Sequence, residues 1–397
     1  MVILQRILAF IRREQVFCLA ALCAVVSAFF VPPSPAYFSY IDWDTLFILF
    51  ALMGVIAALR DCGIFDRMAY VLCAHIHKSR ILCTVLILLC FFTSMLITND
   101  VALLTFVPFS LALLGSATSG GIVLLTVVLE TVAANMGSML TPLGNPQNLF
   151  LFSKMGLGIG NFMLIILPYT AVSLCLLSLS VFLIPEMHLS MSPISAGEEG
   201  ASSAKAGRTG GHRAPLPRHG HELIYAALFI LCLLCVLRIV PKCIAAAAVF
   251  LVLALFNRKV LASVDYMLLL TFGAFFIFTG NMASLPSIKS FLEGAVSGHE
   301  FAVSLLCSQV ISNVPATLLL YPFATDAAAL LVGVNVGGLG TLVASLASLI
   351  SFKLYAAARK RLSLPSAGRY MAAFTLTNVL FLVVLCGAFF CMRALAH

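Results

Sequence analysis

Apolar runs of roughly 15 to 23 residues recur along nearly the whole chain, broken by short polar stretches. A helix needs about 20 mostly apolar residues to cross about 30 Å of hydrocarbon, so few folds are open to such a chain. The runs are continuous rather than alternating, which selects helices over barrel strands. With 62% hydrophobic and 10% charged residues among 397, the sequence reads as an all-α polytopic membrane protein and excludes a soluble globular domain. The expected location is the cell membrane, multi-pass, and the inner membrane if the source is bacterial.

The net charge of +8 suggests nucleic acid only if its distribution is ignored. With Arg6, Arg12 and Arg13 cytoplasmic and spans counted from there, 18 of the 23 Lys and Arg fall inside. Lys154, Arg238, Lys242, Lys289 and Arg393 fall outside. The positive-inside rule therefore favours a cytoplasmic N-terminus and about nine spans plus hairpins, with a lipid bilayer and no nucleic acid as partner. The first 36 residues share features with a secretory signal, ending in "PSPA", but also serve as a first span, which is the reading taken. Thirteen cysteines lie mostly inside apolar runs and read as small buried hydrophobes, Cys232 and Cys235 included.

Residues 185–222 are rich in Ser, Gly, Pro and His, without apolar period, and read as a cytoplasmic linker. The histidines at 212, 219 and 221 are taken as incidental to that loop. The linker divides the chain into a first half, 1–184, and a second, 223–397. "SMLITNDVALLTFVPF" aligns with "SQVISNVPATLLLYPF" at a constant offset of 214, pairing Thr98 with Ser312 and Asn99 with Asn313. "ANMGSMLTPLGNPQNLFLF" aligns with "VNVGGLGTLVASLASLISF" at offset 200, pairing Asn135 with Asn335, Gly137 with Gly337 and Thr141 with Thr341. Asp44 and Asp265 each precede the first apolar run of a half. The charge map sends those two runs in opposite directions, so the expectation is two inverted-topology repeats, the architecture of secondary transporters.

Both aligned blocks contain helix breakers. In "TPLGNPQN", Pro142 and Pro146 block helix continuation, Gly144 permits a turn, and Asn145, Gln147 and Asn148 bring donors and acceptors. Non-helical backbone at membrane depth is tolerated only where protein buries it or it lines a cavity. A half-helix starting near Asn148 would present backbone N–H groups to an anion. "ITNDVALL" and "ISNVPATL" place a hydroxyl and an amide before a fresh apolar run. Flanking runs of about 15 to 17 residues point to two re-entrant hairpins, although a pair of full spans leaves the same loop locations. Isolated polar residues such as Asn378 read as interhelical glue.

The stretches "ITNDVALLTFVPF", "SNVPATLLL" and "NMGSMLTPLGNPQNLFLF" resemble motifs of the ion transporter superfamily, which contains arsenite permeases, citrate and dicarboxylate carriers and some sodium–proton antiporters. The resemblance covers about residues 40–392 and is nearest to the anion permease branch with a citrate-transporter-like domain. It implies an elevator-like fold, in which two hairpin tips and two broken helices enclose substrate and sodium, and it implies a homodimer. The positions carried over are Thr98, Asn99, Asp100, Thr141, Gly144, Asn145, Asn148, Ser312, Asn313, Asn335 and Thr341. Dicarboxylate carriers have Ser-Asn-Thr at both tips, whereas this chain reads Thr-Asn-Asp and Ser-Asn-Val.

A charge in the membrane costs about 2.5 to 3.5 kcal/mol, so Asp100 and Glu130 need a task or a partner. Both are candidates for coupling Na⁺ or H⁺, and Asp100 is alternatively a repeller of oxyanions. The expected function is secondary active transport of a small inorganic or carboxylate anion by alternating access, coupled to Na⁺ or H⁺. A sodium–proton antiporter is the alternative. A channel or an intramembrane enzyme has less support: there is no HExxH, GxSxG or Walker A sequence, and neither a cofactor nor a bound metal is expected.

Overall fold

A computed structural model describes residues 5, 10, 14–73, 76–115, 117–188 and 221–396. Among the described residues every regular element is a helix. After α1 (Gln15–Phe30) the first half runs α2 (Trp43–Asp61), α3 (Ile64–Cys73), α4 (Ser79–Ile97), α5 (Asn99–Gly115), α6 (Gly120–Ser138), α7 (Pro146–Met155) and α8 (Ile159–Ser180). Helices α9 (Glu222–Val236) and α10 (Lys242–Phe256) open the second half. The second half then runs α11 (Tyr266–Ser284), α12 (Pro286–Val296), α13 (Glu300–Ile311), α14 (Asn313–Leu320), α15 (Ala327–Val336), α16 (Leu346–Ala358) and α17 (Ala367–Ala396). From α2 and from α11 onward the two series correspond helix for helix.

Six of these helices, α2, α4, α6, α8, α11 and α17, are long and apolar enough to cross a membrane. Helices α1, α9 and α10, read as spans from the sequence, have 16, 15 and 15 residues. At 1.5 Å per residue they cover about 22 to 24 Å, short of the full hydrocarbon thickness. The expected hairpin arms also differ in length from the sequence reading. Only α5, with 17 residues, falls within the expected 15 to 17, whereas α4 has 19 and α13 and α14 have 12 and 8. Apolar runs overstate or understate helices here because the polar turn residues, not the run lengths, decide where each helix stops.

Capping fixes the starts. The Asp42 carboxylate accepts from the Thr45 N–H at 3.0 Å and opens α2, and Asp265 accepts from Leu268 N–H at 2.9 Å to open α11. Asp42, not Asp44, is therefore the structural counterpart of Asp265. Asp44 instead meets the Lys242 ammonium at 3.6 Å.

Helices α4 and α6 pack along one another, as do α13 and α15. A glycine makes each approach close enough. A Cβ on Gly137 would lie 2.0 Å from the Phe91 carbonyl oxygen, and one on Gly333 would lie 2.1 Å from Ser304 Oγ. Small residues at such crossings let van der Waals packing hold helices together where the lipid supplies no hydrophobic drive.

Most of the segment read as a linker, 189–220, lies outside the described residues, together with His212 and His219 and the basic residues at 6, 12 and 13. Cys232 and Cys235 are buried in α9. The ion pairs between elements sort into two groups. Arg67 meets Glu222, and Lys78 and Arg80 both meet Glu186, while Lys154 meets Asp42 at 2.9 Å. Each pair joins residues that the charge map puts on the same side.

Candidate functional site

The centre is assembled from two tips and two breaks. At the first tip Thr98 adopts φ 68°, and at the second Ser312 adopts φ 75°, left-handed backbone that non-glycine residues rarely occupy. Thr98 separates α4 from α5 and Ser312 separates α13 from α14, so both tips are reversals held at the same point of the motif. Each is pinned to the break of its own half. Asn99 N–H donates to the Gly144 carbonyl at 3.0 Å, and Asn313 N–H donates to the Ala344 carbonyl at 3.0 Å. Thr141 Oγ1 donates to the Met95 carbonyl and Thr341 Oγ1 to the Gln309 carbonyl. All four partners obey the offsets of 214 and 200 read from the sequence.

The first break, between α6 and α7, is closed by its own side chains. Asn145 caps α7 by accepting from Asn148 N–H at 2.9 Å. The Asn148 amide turns back on the end of α6, donating to Met139 O at 2.9 Å and Thr141 O at 3.1 Å. Carbonyls that a broken helix leaves without partners are thereby satisfied. The backbone at Gly144 passes so near α6 that a Cβ there would lie 2.0 Å from Ser138 O. In this state the N-terminal end of α7 is thus partly occupied by the protein itself, and residues 142–152 are buried.

The second break, between α15 and α16, lacks prolines and uses a glutamine. Gln309 on α13 donates to Gly337 O at 2.8 Å and Leu339 O at 2.9 Å, and accepts from Thr341 N–H at 3.0 Å. Gly340 sits beside it with φ 106°, which a side chain would strain. Thr341 and Val343 are exposed, so this break is the more open of the two.

The two halves meet through asparagines in a crossed pattern. Asn335, of the second half, donates to Asn148 Oδ1 at 2.7 Å and accepts from Asn145 Nδ2 at 3.1 Å. Asn135, of the first half, donates to Ser348 Oγ at 3.1 Å and accepts from Ser345 Oγ at 2.9 Å. At offset 200 Ser345 and Ser348 are the counterparts of Asn145 and Asn148. Each break therefore holds the asparagine of the opposite half. Asn99 Nδ2 adds a bond to Asn135 Oδ1 at 3.0 Å, tying the first tip into the same network.

The geometry thus brings Asn99, Asn145, Asn148 and Asn335 into one buried polar cluster, with Thr98, Thr141 and Gly144 at its first-half edge and Ser312, Asn313 and Thr341 at its second-half edge. The sequence reading missed Asn135, Ser345, Ser348 and Gln309 as members. Asn135 was visible, since it aligns with Asn335. The two serines carry no backbone breaker and stand out only once paired with Asn145 and Asn148.

Asp100 lies in the first turn of α5, half-buried, its N–H bonded to Asn99 Oδ1 at 3.0 Å. Glu130 lies elsewhere, buried in α6 and bonded by the Ser110 hydroxyl of α5. The pair is not joined in one site. Among the described residues no group of three or more His, Cys, Asp or Glu could hold a metal. A cleft of about 270 Å³ lined by Arg80, Ile87, Leu177 and Phe182 lies between α4 and α8, away from tips and breaks.

Comparison with known proteins agrees with a carrier. The family model for the citrate transporter matches residues 1–350. An uncharacterized transporter of Methanocaldococcus jannaschii is 31% identical over 80% of this chain and 82% of its own. The inner membrane protein YbiR of Escherichia coli is 30% identical over 86% of this chain and 88% of its own. An uncharacterized transporter of Mycobacterium tuberculosis is 25% identical over 74% of this chain and 70% of its own.

Proposed function

The chain belongs to the citrate transporter family and is therefore a membrane transporter, not an enzyme, and from that premise we propose that it carries a small inorganic or carboxylate anion by secondary active transport, coupled to Na⁺ or H⁺. The observation that carries the reading is the crossed clasp, in which Asn145 and Asn148 hold Asn335 while Ser345 and Ser348 hold Asn135. Two half-helix starts and two tips rich in amide and hydroxyl donors converge there, and such donors suit an oxyanion. In this reading the amides and hydroxyls are the solute ligands, and Asp100 and Glu130 are the candidates for the coupling ion.

In this reading the two helical series are inverted repeats with a cytoplasmic N-terminus. Helices α4–α5 and α13–α14 are re-entrant hairpins entering from opposite sides, and the hydrogen bonds from each tip to its own break support that over a pair of independent spans. Like-sided ion pairs support the grouping of these loops by side, and the excess of Lys and Arg in one group supports the orientation. Alternating access then proceeds by movement of the tips and broken helices against the remaining helices, elevator-like, in a homodimer. Opening the site requires releasing the bonds that now fill it, so the present arrangement is a closed form of the site.

The test is thermal unfolding of detergent-purified protein with citrate, succinate, phosphate, sulfate and arsenite, in Na⁺ or in choline, at two pH values. A ligand that binds only the folded state stabilises by RT ln(1 + [L]/Kd), about 2.7 kcal/mol at 100 Kd. The expected result is a rise in Tm with one anion class that needs Na⁺ or lower pH. A rise with cation alone and with no anion would replace this reading with the sodium–proton antiporter, which Asp100 and Glu130 motivate.

A further inference from the structure

Glu130 is fully buried in α6, and its two carboxyl oxygens have unequal surroundings. Oε1 accepts from Ser110 Oγ of α5, and Oε2 has no hydrogen-bond partner. The titratable groups within electrostatic reach are Cys73 of α3, Cys83 and Cys90 of α4 and Tyr370 of α17. Helix α16 contributes only hydroxyls nearby, with Ser351 Oγ 2.6 Å from Thr131 Oγ1 and 3.2 Å from the Tyr370 hydroxyl. No Lys, Arg or His among the described residues offers a counter-charge. An ionised carboxylate so placed carries the full cost of burial with one hydrogen bond against it, whereas the acid form removes that cost by taking up a proton.

Packing does not require a carboxyl here. The repeat-related position is Leu330 in α15, which is also completely buried. The corresponding element is thus built with an apolar side chain, so Glu130 is an acid added to a position that folds without one. It also stands apart from the polar cluster. Asn135, five residues on, is bonded by Asn99, Ser345 and Ser348, none of which bonds Glu130.

We propose that Glu130 is the proton-carrying residue of this transporter, neutral in the closed state and ionised when α5 and its Ser110 shift and water reaches it. The inference rests on the transporter reading and deepens it, since it makes the coupling ion H⁺ and separates its site from the solute site. The step is a reversible protonation: the carboxylate takes one H⁺ from water on one side and returns it on the other, with no other bond changed.

Two measurements test it. Infrared spectra of the purified protein at neutral pH should contain a carboxylic-acid carbonyl band that disappears in Glu130→Gln, and its absence from the wild type overturns the proposal. Proteoliposomes loaded with a pH-sensitive dye are then given citrate, succinate, phosphate, sulfate or arsenite. Expected is proton movement with the transported anion in the wild type, and anion exchange without proton movement in Glu130→Gln. Undiminished proton movement in that variant overturns the proposal. Ser110→Ala, which keeps the acid and removes its partner, should shift the pH at which transport is half-maximal, and an unchanged profile also counts against it. If the wild type moves none of the anions, the transporter reading of the substrate fails, while the infrared band still decides whether Glu130 is protonated.

Discussion

Gly144 shows how little freedom a single position at the centre has. A methyl there would meet the Ser138 carbonyl oxygen at 2.0 Å, and backbone cannot swing aside as a side chain can. Gly144→Ala should therefore cost about 3 kcal/mol, the upper part of the range for overpacking. Gly160→Ala, in the first turn of α8 with nothing within 4 Å, should instead gain about 0.4–1 kcal/mol. Thermal unfolding in detergent of the two variants reads the contrast, and equal effects would contradict the close approach. At the membrane edge, burial pushes the Asp42 carboxyl up, but the Lys154 ammonium and two bonds from Thr45 outweigh it and hold it below its usual value. A depressed folded value contributes stability above the unfolded value, near 3.9, and loses it as pH falls through the folded one. Asp42→Asn keeps a cap but loses the charge, so it should be less stable than wild type by under about 1 kcal/mol at neutral pH. The gap should close below about pH 4, and a gap that persists there would argue that the charge pair is not its source.

Among the helices, what the sequence made legible followed from chemistry that the backbone cannot hide. A helix broken inside lipid needs Pro or Gly to break it and polar groups to satisfy it, so "TPLGNPQN" announced the α6–α7 break. The α15–α16 break was legible only through alignment, because a glutamine from another helix, Gln309, does the satisfying there. No local pattern reports a partner that distant. Likewise Asp44 looked like the counterpart of Asp265, since one-dimensional alignment sees an acid near a run and not which carboxylate reaches an N–H. The clasp between α6 and α16 is open to a direct test. In a double-mutant cycle, Asn135→Ala and Ser348→Ala should show a coupling energy of about 0.5–3 kcal/mol by thermal unfolding. Additive effects would mean that the bond between them contributes nothing.

Over the whole molecule, the expected orientation rests on charge, because the distribution of Lys and Arg directs how a chain inserts. Exposed Cys175, Cys243 and Cys391 would be replaced before labelling. In that background Lys154→Cys and Lys289→Cys should react only with an impermeant thiol reagent added outside intact cells. Arg67→Cys and Arg369→Cys should react only after the membrane is opened, and the reverse pattern would invert the topology. The crossed asparagines also bear on manufacture. Asn135 is synthesised and inserted well before Ser345, 210 residues later, comes to accompany it. At 5 to 20 residues per second the first half spends about 10 to 40 s in the bilayer with a central amide lacking its serines. The newborn half is thus an unfinished article, obliged to wait for its twin, and whatever quality control patrols the membrane has that interval in which to seize it.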